Sequence, residues 1–229
     1  RNHEKIVLLQ DFEKESLDFA IDRENQDLSL SNLVSSALDF LTKDDNGFFL
    51  MIEGGLIDWA CHSNDAATVF AEVEDLSNTM NEVLRFYHQH PDETLIILTA
   101  DHETGGLSLG TGDYQLNLSV LQNQKKSAYK LNEMFNQMAK EKGENICWED
   151  VKTFLEDNFG YKKNVELTKE ETNELRNIFE KRFLLHQNTQ QQTLYLNGEQ
   201  LISQSVKILN KKANIGWSSY GHSAGFVPV

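Results

Sequence analysis

Two uninterrupted apolar runs, Phe48-Phe49-Leu50-Met51-Ile52 and Thr94-Leu95-Ile96-Ile97-Leu98-Thr99, constrain this chain more than any other feature. Strand-length segments without polar alternation are the pattern of strands covered on both faces. Between them, residues 65–88 repeat Ala67, Phe70, Val73, Leu76, Met80, Val83, Leu84 and Tyr87 at helical spacing, and Pro91-Asp92-Glu93 stops the repeat. Strand, helix and strand of this kind make a crossover unit of a parallel sheet with helices on its faces. Upstream, residues 6–9 (Ile-Val-Leu-Leu) read as a short strand, and residues 28–41 as an amphipathic helix with Ser29 or Ser31 as its N-cap. The predicted class is α/β, with residues 1–111 as the core portion.

Residues 112–213 have another character. They are rich in Lys, Glu, Asn and Gln, and they carry helical repeats at Leu131, Met134, Phe135 and Met138, at Val151, Phe154, Leu155 and Phe159, and at Leu175, Ile178, Phe179 and Phe183. Thr168 followed by Glu171 predicts a capping box. Residues 189–192 and 210–214 read as polar loops. This stretch is expected to be a helical insertion, after which residues 214–229 return to the core and end on what reads as the start of another strand.

With 36 acidic and 21 basic side chains the formal charge is -15, spread along the chain, and this excludes a protein built to grip a nucleic-acid backbone. No apolar run approaches the ~20 residues of a membrane span. Two cysteines, Cys61 and Cys147, make neither a disulfide framework nor a CxxC motif. No leader sequence precedes residues 6–9, so an export signal is expected to be absent from this chain.

The chemistry-bearing residues gather where the apolar runs end. The first run closes on Glu53-Gly54-Gly55, and Asp58 and His62 follow four residues apart, on one face of a helix, where they can share a metal ion. The second run closes on Asp101-His102. In open parallel sheets, sites lie beyond the carboxyl ends of the strands, and both motifs fall there. A third histidine, His222, sits in the glycine-flanked segment Gly221-His222-Ser223. A lone Asp-x-x-x-His is ordinarily a solvated helix face; the joint occurrence points to a metal centre. The other histidines, His3, His88, His90 and His186, read as surface residues, and Cys61 as a packing residue.

The run from Gly47 to Asp65 (GFFLMIEGGLIDWACHSND), then Thr99-Ala100-Asp101-His102-Glu103-Thr104-Gly105-Gly106, then Gly221-His222-Ser223, resembles the metal-site half of the alkaline phosphatase family. The resemblance implies a three-layer fold with a mainly parallel central sheet, and makes the insertion a crown-like module. It implies two zinc sites, one held by Asp58, His62 and His222 and the other by Asp101 and His102, with Glu53 on magnesium. It implies hydrolysis of small-molecule phosphate monoesters through a phosphoserine intermediate, export to the periplasm or the extracellular space, and leaves a homodimer open. Trp59 is a substrate-facing candidate, with packing as the alternative. Glu103 and Thr104 are candidates for hydrogen bonds to the ligands.

The match has a gap. The family's nucleophilic serine stands in an Asp-Ser-Ala context, which does not occur here; Ser35-Ser36-Ala37, the nearest string, lies within the helix expected over residues 28–41. None of Arg1, Arg23, Arg85, Arg176 and Arg182 has the context of the family's phosphate-gripping arginine. The chain therefore reads as a carboxyl-terminal portion of such an enzyme, inactive alone. Rival readings are another hydrolase of the same superfamily (a phosphodiesterase, sulfatase or phosphomutase) and a non-catalytic metal-binding or interaction domain.

Overall fold

The computed structural model describes residues 16–43, 46–112, 114–187, 190–192 and 197–228. The strand expected over residues 6–9, His3 and the terminal Val229 lie outside them.

Helix α1 (Leu30–Leu41) starts where the sequence places it: Ser29 Oγ accepts the Asn32 N–H at 3.2 Å, and Asn32 Oδ1 accepts the Ser29 N–H at 3.0 Å. It buries Val34 and Leu38, packs on α3, and encloses Ser35, Ser36 and Ala37. Helix α2 (Gly55–His62) carries Asp58 and His62, and α3 (Ala66–Gln89) follows after three residues with Asp65 as its N-cap.

The apolar runs behave differently from expectation. Neither enters a ladder with another described segment, and neither is buried: Phe49 is 87% exposed, Met51 77%, Leu95 84% and Ile97 68%. Burial on both faces takes neighbouring strands and two covering layers. Among the described residues, Phe48 rests on Phe86 of α3, with ring centroids 5.7 Å apart, and Thr99 Oγ1 donates to the Pro228 carbonyl at 2.9 Å. The ladders that do form are short and antiparallel. Strand β1 (Glu103–Thr104) pairs with β6 (His222–Ser223), β2 (Ser108–Leu109) with β5 (Ile215–Gly216), and β3 (Gln190–Gln192) with β4 (Asn197–Glu199).

The main core lies in the helical part. Helices α4 (Ala128–Lys142), α5 (Trp148–Phe159) and α6 (Lys169–Phe179) surround α7 (Gln200–Lys212), and Leu131, Phe135, Val151, Leu155, Phe159, Leu175, Ile202 and Leu209 are buried among them. The expected capping box opens α6: Glu171 N–H donates to Thr168 Oγ1 at 3.2 Å and Thr168 N–H to Glu171 Oε2 at 2.9 Å. Residues 210–212, expected as loop, instead complete α7, and residues 190–192 form β3. The same apolar cluster takes in Ala66 and Ala67 from the first turn of α3, so the helical part packs directly on the segment that follows His62. No helix of the described residues is long and apolar enough to cross a membrane.

Candidate metal centre

Helix α2 ends in a tight, doubly bonded turn. Asn64 takes a left-handed φ of 51°, its N–H donates to Cys61 O at 2.9 Å, and the Asp65 N–H donates to Ala60 O at 3.1 Å. This is the Schellman closure, which satisfies carbonyls the helix end would leave open. His62 occupies the last helical position and is fully buried. Its Nδ1 stands 2.6 Å from the carbonyl oxygen of Tyr220. A carbonyl only accepts, so Nδ1 carries a proton, and in the neutral ring Nε2 holds the lone pair.

That Nε2 faces the other site residues. It lies 3.2 Å from His222 Nε2 and 3.5 Å from Asp58 Oδ1, while His222 Nε2 is 3.6 Å from Asp58 Oδ1. His102 stacks on His222 with ring centroids 3.7 Å apart. Ligand atoms of Asp58, His102 and His222 all fall within 4.8 Å of one another. Asp101 is exposed, and its Oδ2 lies 3.2 Å from His102 Nε2. One carboxylate and three imidazoles from three segments, with a second carboxylate at their edge, is a donor set suited to a divalent transition metal.

The supporting bonds are specific. Thr104, buried on β1, donates from Oγ1 to Asp58 Oδ1 at 2.5 Å and stands 3.2 Å from His102 Nδ1. With its own proton committed to Asp58, the Thr104 oxygen can accept from His102 Nδ1–H. The β1–β6 ladder sets Thr104 opposite His222. Glu103 closes the same corner, accepting from the Gly106 N–H at 2.7 Å and from Ser223 Oγ. Gly105 and Gly106 have φ of +82° and +62°; a Cβ on Gly105 would meet the Trp217 ring at 2.7 Å, and one on Gly106 would meet Ser218 Oγ at 1.8 Å. Glycine there lets the segment leading to His222 lie against the one carrying His102.

A family model described as alkaline phosphatase matches residues 1–229, the whole chain that carries this centre. The chain belongs to the alkaline phosphatase family. It is 30% identical over 211 residues to alkaline phosphatase 4 of Bacillus subtilis, with 92% of this chain and 40% of that protein covered. It is 42% identical over 103 residues to the repressible alkaline phosphatase of Saccharomyces cerevisiae, covering 42% and 18% respectively. Among solved structures, the cold-active alkaline phosphatase of a psychrophilic Shewanella superposes with a TM-score of 0.67 at 28% identity, over 91% of this chain and 45% of that one. The alkaline phosphatase of Thermus thermophilus gives 0.63 at 27%, over 92% and 44%. The chain spans about 40% of the length of the Bacillus relatives it matches.

In this member of the family the remaining candidates lie apart from the cluster. Glu53 is exposed, its carboxylate folds back over Gly55, and it lines a cavity of about 250 Å³ together with Arg23, Trp59 and Glu72. Trp59 is half-buried on that cavity and packs with the cluster of Phe19, Ala60, Cys61 and Val69. Cys61 is buried, and burial, with Asp58 and Glu103 nearby, pushes its thiol up to about 12, so it stays protonated and packs. His88, His90 and His186 are exposed, as expected. The Tyr220 carbonyl and Asn64 are groups at the cluster that sequence reading did not mark. A backbone carbonyl has no side-chain signature, but an asparagine two residues past a helix end is a known stop signal.

Proposed function

We propose that these residues are the metal-centre portion of an alkaline phosphatase that hydrolyses small-molecule phosphate monoesters. The observation that carries this reading is the convergence of Asp58 and His62 from α2 with His102 and His222 from two further segments, the His62 ring being held so that Nε2 faces the other residues. Asp58, His62 and His222 would hold one zinc ion, Asp101 and His102 a second, and Glu53 a magnesium ion. Divalent cations bound there supply positive charge and Lewis acidity to a phosphate ester. The chain's own residues orient and support: Tyr220 fixes the His62 ring, Thr104 fixes Asp58 and His102, and Glu103 pins the strand bearing His222.

The sequence contains no Asp-Ser-Ala, so the nucleophile that forms the phosphoserine is not among these residues, and the chain alone is inactive. Residues 48–52 and 94–99 would pair as strands of a mainly parallel central sheet whose neighbours lie in the share of the family fold that this chain does not span. Residues 112–213 form the inserted module between the core portions 1–111 and 214–229. Export to the periplasm or the extracellular space is proposed on the family alone.

Hydrolysis assays test the reading. The complete product of the gene should cleave p-nitrophenyl phosphate far faster than the corresponding diester or sulfate, in a zinc-dependent manner, and the 229 residues alone should cleave none. Preference for the diester or the sulfate would assign the chain to another hydrolase class, and turnover by the 229 residues alone would contradict the missing nucleophile.

A further inference from the structure

Three hydrogen bonds from the helical module end on the two residues that close helix α2 behind His62. Asn210 Nδ2 on α7 donates to the backbone carbonyl of Asn64 at 2.6 Å, while Gln124 Nε2 and the Ala128 N–H donate to the Asp65 carboxylate at 2.8 and 2.7 Å. Asp65 is 1% exposed and accepts twice more, from Thr68 N–H at 3.2 Å and Thr68 Oγ1 at 2.6 Å. One carboxylate thus caps α3, binds the first residue of α4 and takes a buried glutamine, with all its acceptor capacity in use.

Asn64 extends the connection to the other side of the centre. With its amide nitrogen facing the two carbonyls, it donates to Cys61 O at 3.0 Å and to Ser219 O at 2.9 Å. Ser219 immediately precedes Tyr220, whose carbonyl fixes the His62 ring, and His222 lies two residues further on. A continuous set of bonds therefore runs from α7 and the segment ahead of α4, through Asn64 and Asp65, to the segments that bear His62 and His222. The helical module packs on the same place, since Ala66 and Ala67 belong to its apolar cluster.

We propose that Asn64 and Asp65 are positioning residues of the metal centre, and that the helical module, through Asn210 and Gln124, sets the separation of His62 Nε2 and His222 Nε2. This rests on the reading that those histidines bind a divalent cation. The module is then a brace for the ligands and not only a surface addition. Bonds made to the ligands themselves are typically worth about 10–100-fold in affinity, and Asn64 and Asn210, acting through Ser219 and Tyr220, belong at the lower end of that range or below it.

The test is Zn²⁺ affinity of the full chain, measured by competition with a chromophoric chelator, together with the visible spectrum of the Co²⁺-loaded chain. Asn64→Gly keeps the left-handed backbone and removes the amide; Asn210→Ala removes the brace from α7. Tyr161→Phe is the control, because it deletes the buried Tyr161–Ser205 hydrogen bond inside the module without touching Asn64 or Asp65. Asn64→Gly and Asn210→Ala should weaken Zn²⁺ binding by up to about tenfold and shift the Co²⁺ bands. Tyr161→Phe should lower the melting temperature with Zn²⁺ affinity unchanged. Unchanged affinity in the first two variants, or an equal loss in Tyr161→Phe, overturns the proposal. If His222→Ala abolishes binding while Asn64→Gly and Asn210→Ala bind normally, the bracing role fails and the metal reading stands; no binding by the unsubstituted chain removes both.

Discussion

His62 offers Nε2 inward because the Tyr220 carbonyl occupies its other nitrogen, and Asp58 is held by the buried Thr104 hydroxyl in the same way. At this scale the candidate residues and their helix spacing were legible, since Asp58 and His62 stand one turn apart in any α-helix. The partners that orient them were legible only in part: Thr104 and Glu103 were marked by their place beside His102, whereas a carbonyl 158 residues from His62 leaves no trace in side-chain identity. Thr104→Val, which keeps the shape and deletes the donor, should weaken Zn²⁺ binding by roughly tenfold or more in a chelator competition. A second group is tunable by pH. Burial, with Asp75 and Asp22 adding to it against the Ala20 N–H and Arg23, raises the Glu72 carboxyl from 4.5 to about 7. The folded state thus holds a proton that the unfolded state releases between those values. The stabilisation is complete below pH 4.5 and is lost as pH rises through about 7. In EDTA, urea unfolding should show stability falling from pH 5 to pH 8, and Glu72→Gln should flatten that fall by about 1–3 kcal/mol.

Helices were read well because their signals are local. The Ser29 and Thr168 caps, the single apolar stripes of α1, α4, α5 and α6, and the stop after α3 all appear within a few residues of where they act. Helix α7 escaped for a physical reason. Gln200, Gln204, Lys207 and Lys211 make a polar face opposite the buried Leu201, Ile202, Ser205, Val206, Ile208 and Leu209, but the Asn- and Lys-rich end of the helix resembles a loop. Helix α5 stops at Gly160, with φ of 65°, where a Cβ would come within 2.7 Å of Asn123 Oδ1. Gly160→Ala should therefore cost about 1–2 kcal/mol in denaturant unfolding. The strand runs show the opposite limit. Their composition was read as burial on both faces, but burial depends on what lies alongside, and the described residues do not supply it.

On the scale of the whole molecule, Phe49, Met51, Leu95, Ile97, Leu98 and Phe226 leave large apolar side chains open to solvent on a chain that spans about 40% of its Bacillus relatives' length. Exposed apolar surface of this kind drives association. The chain in isolation should bind a hydrophobic dye and self-associate in sedimentation, and Met51→Lys with Ile97→Lys should reduce both without lowering the melting temperature. The acidic excess has a local counterpart, since Asp58 and Asp101 stand where cations would turn the site attractive to phosphate. The most direct measurement is therefore the metal content of the folded chain after equilibration with micromolar zinc, determined by elemental mass spectrometry beside His222→Ala. The expected result is tightly held zinc in the unsubstituted chain, on the order of one ion for a single complete ligand set, and none in the variant. A folded chain that remains metal-free, or zinc retained undiminished in His222→Ala, would contradict the metal centre on which the function proposed for this chain depends.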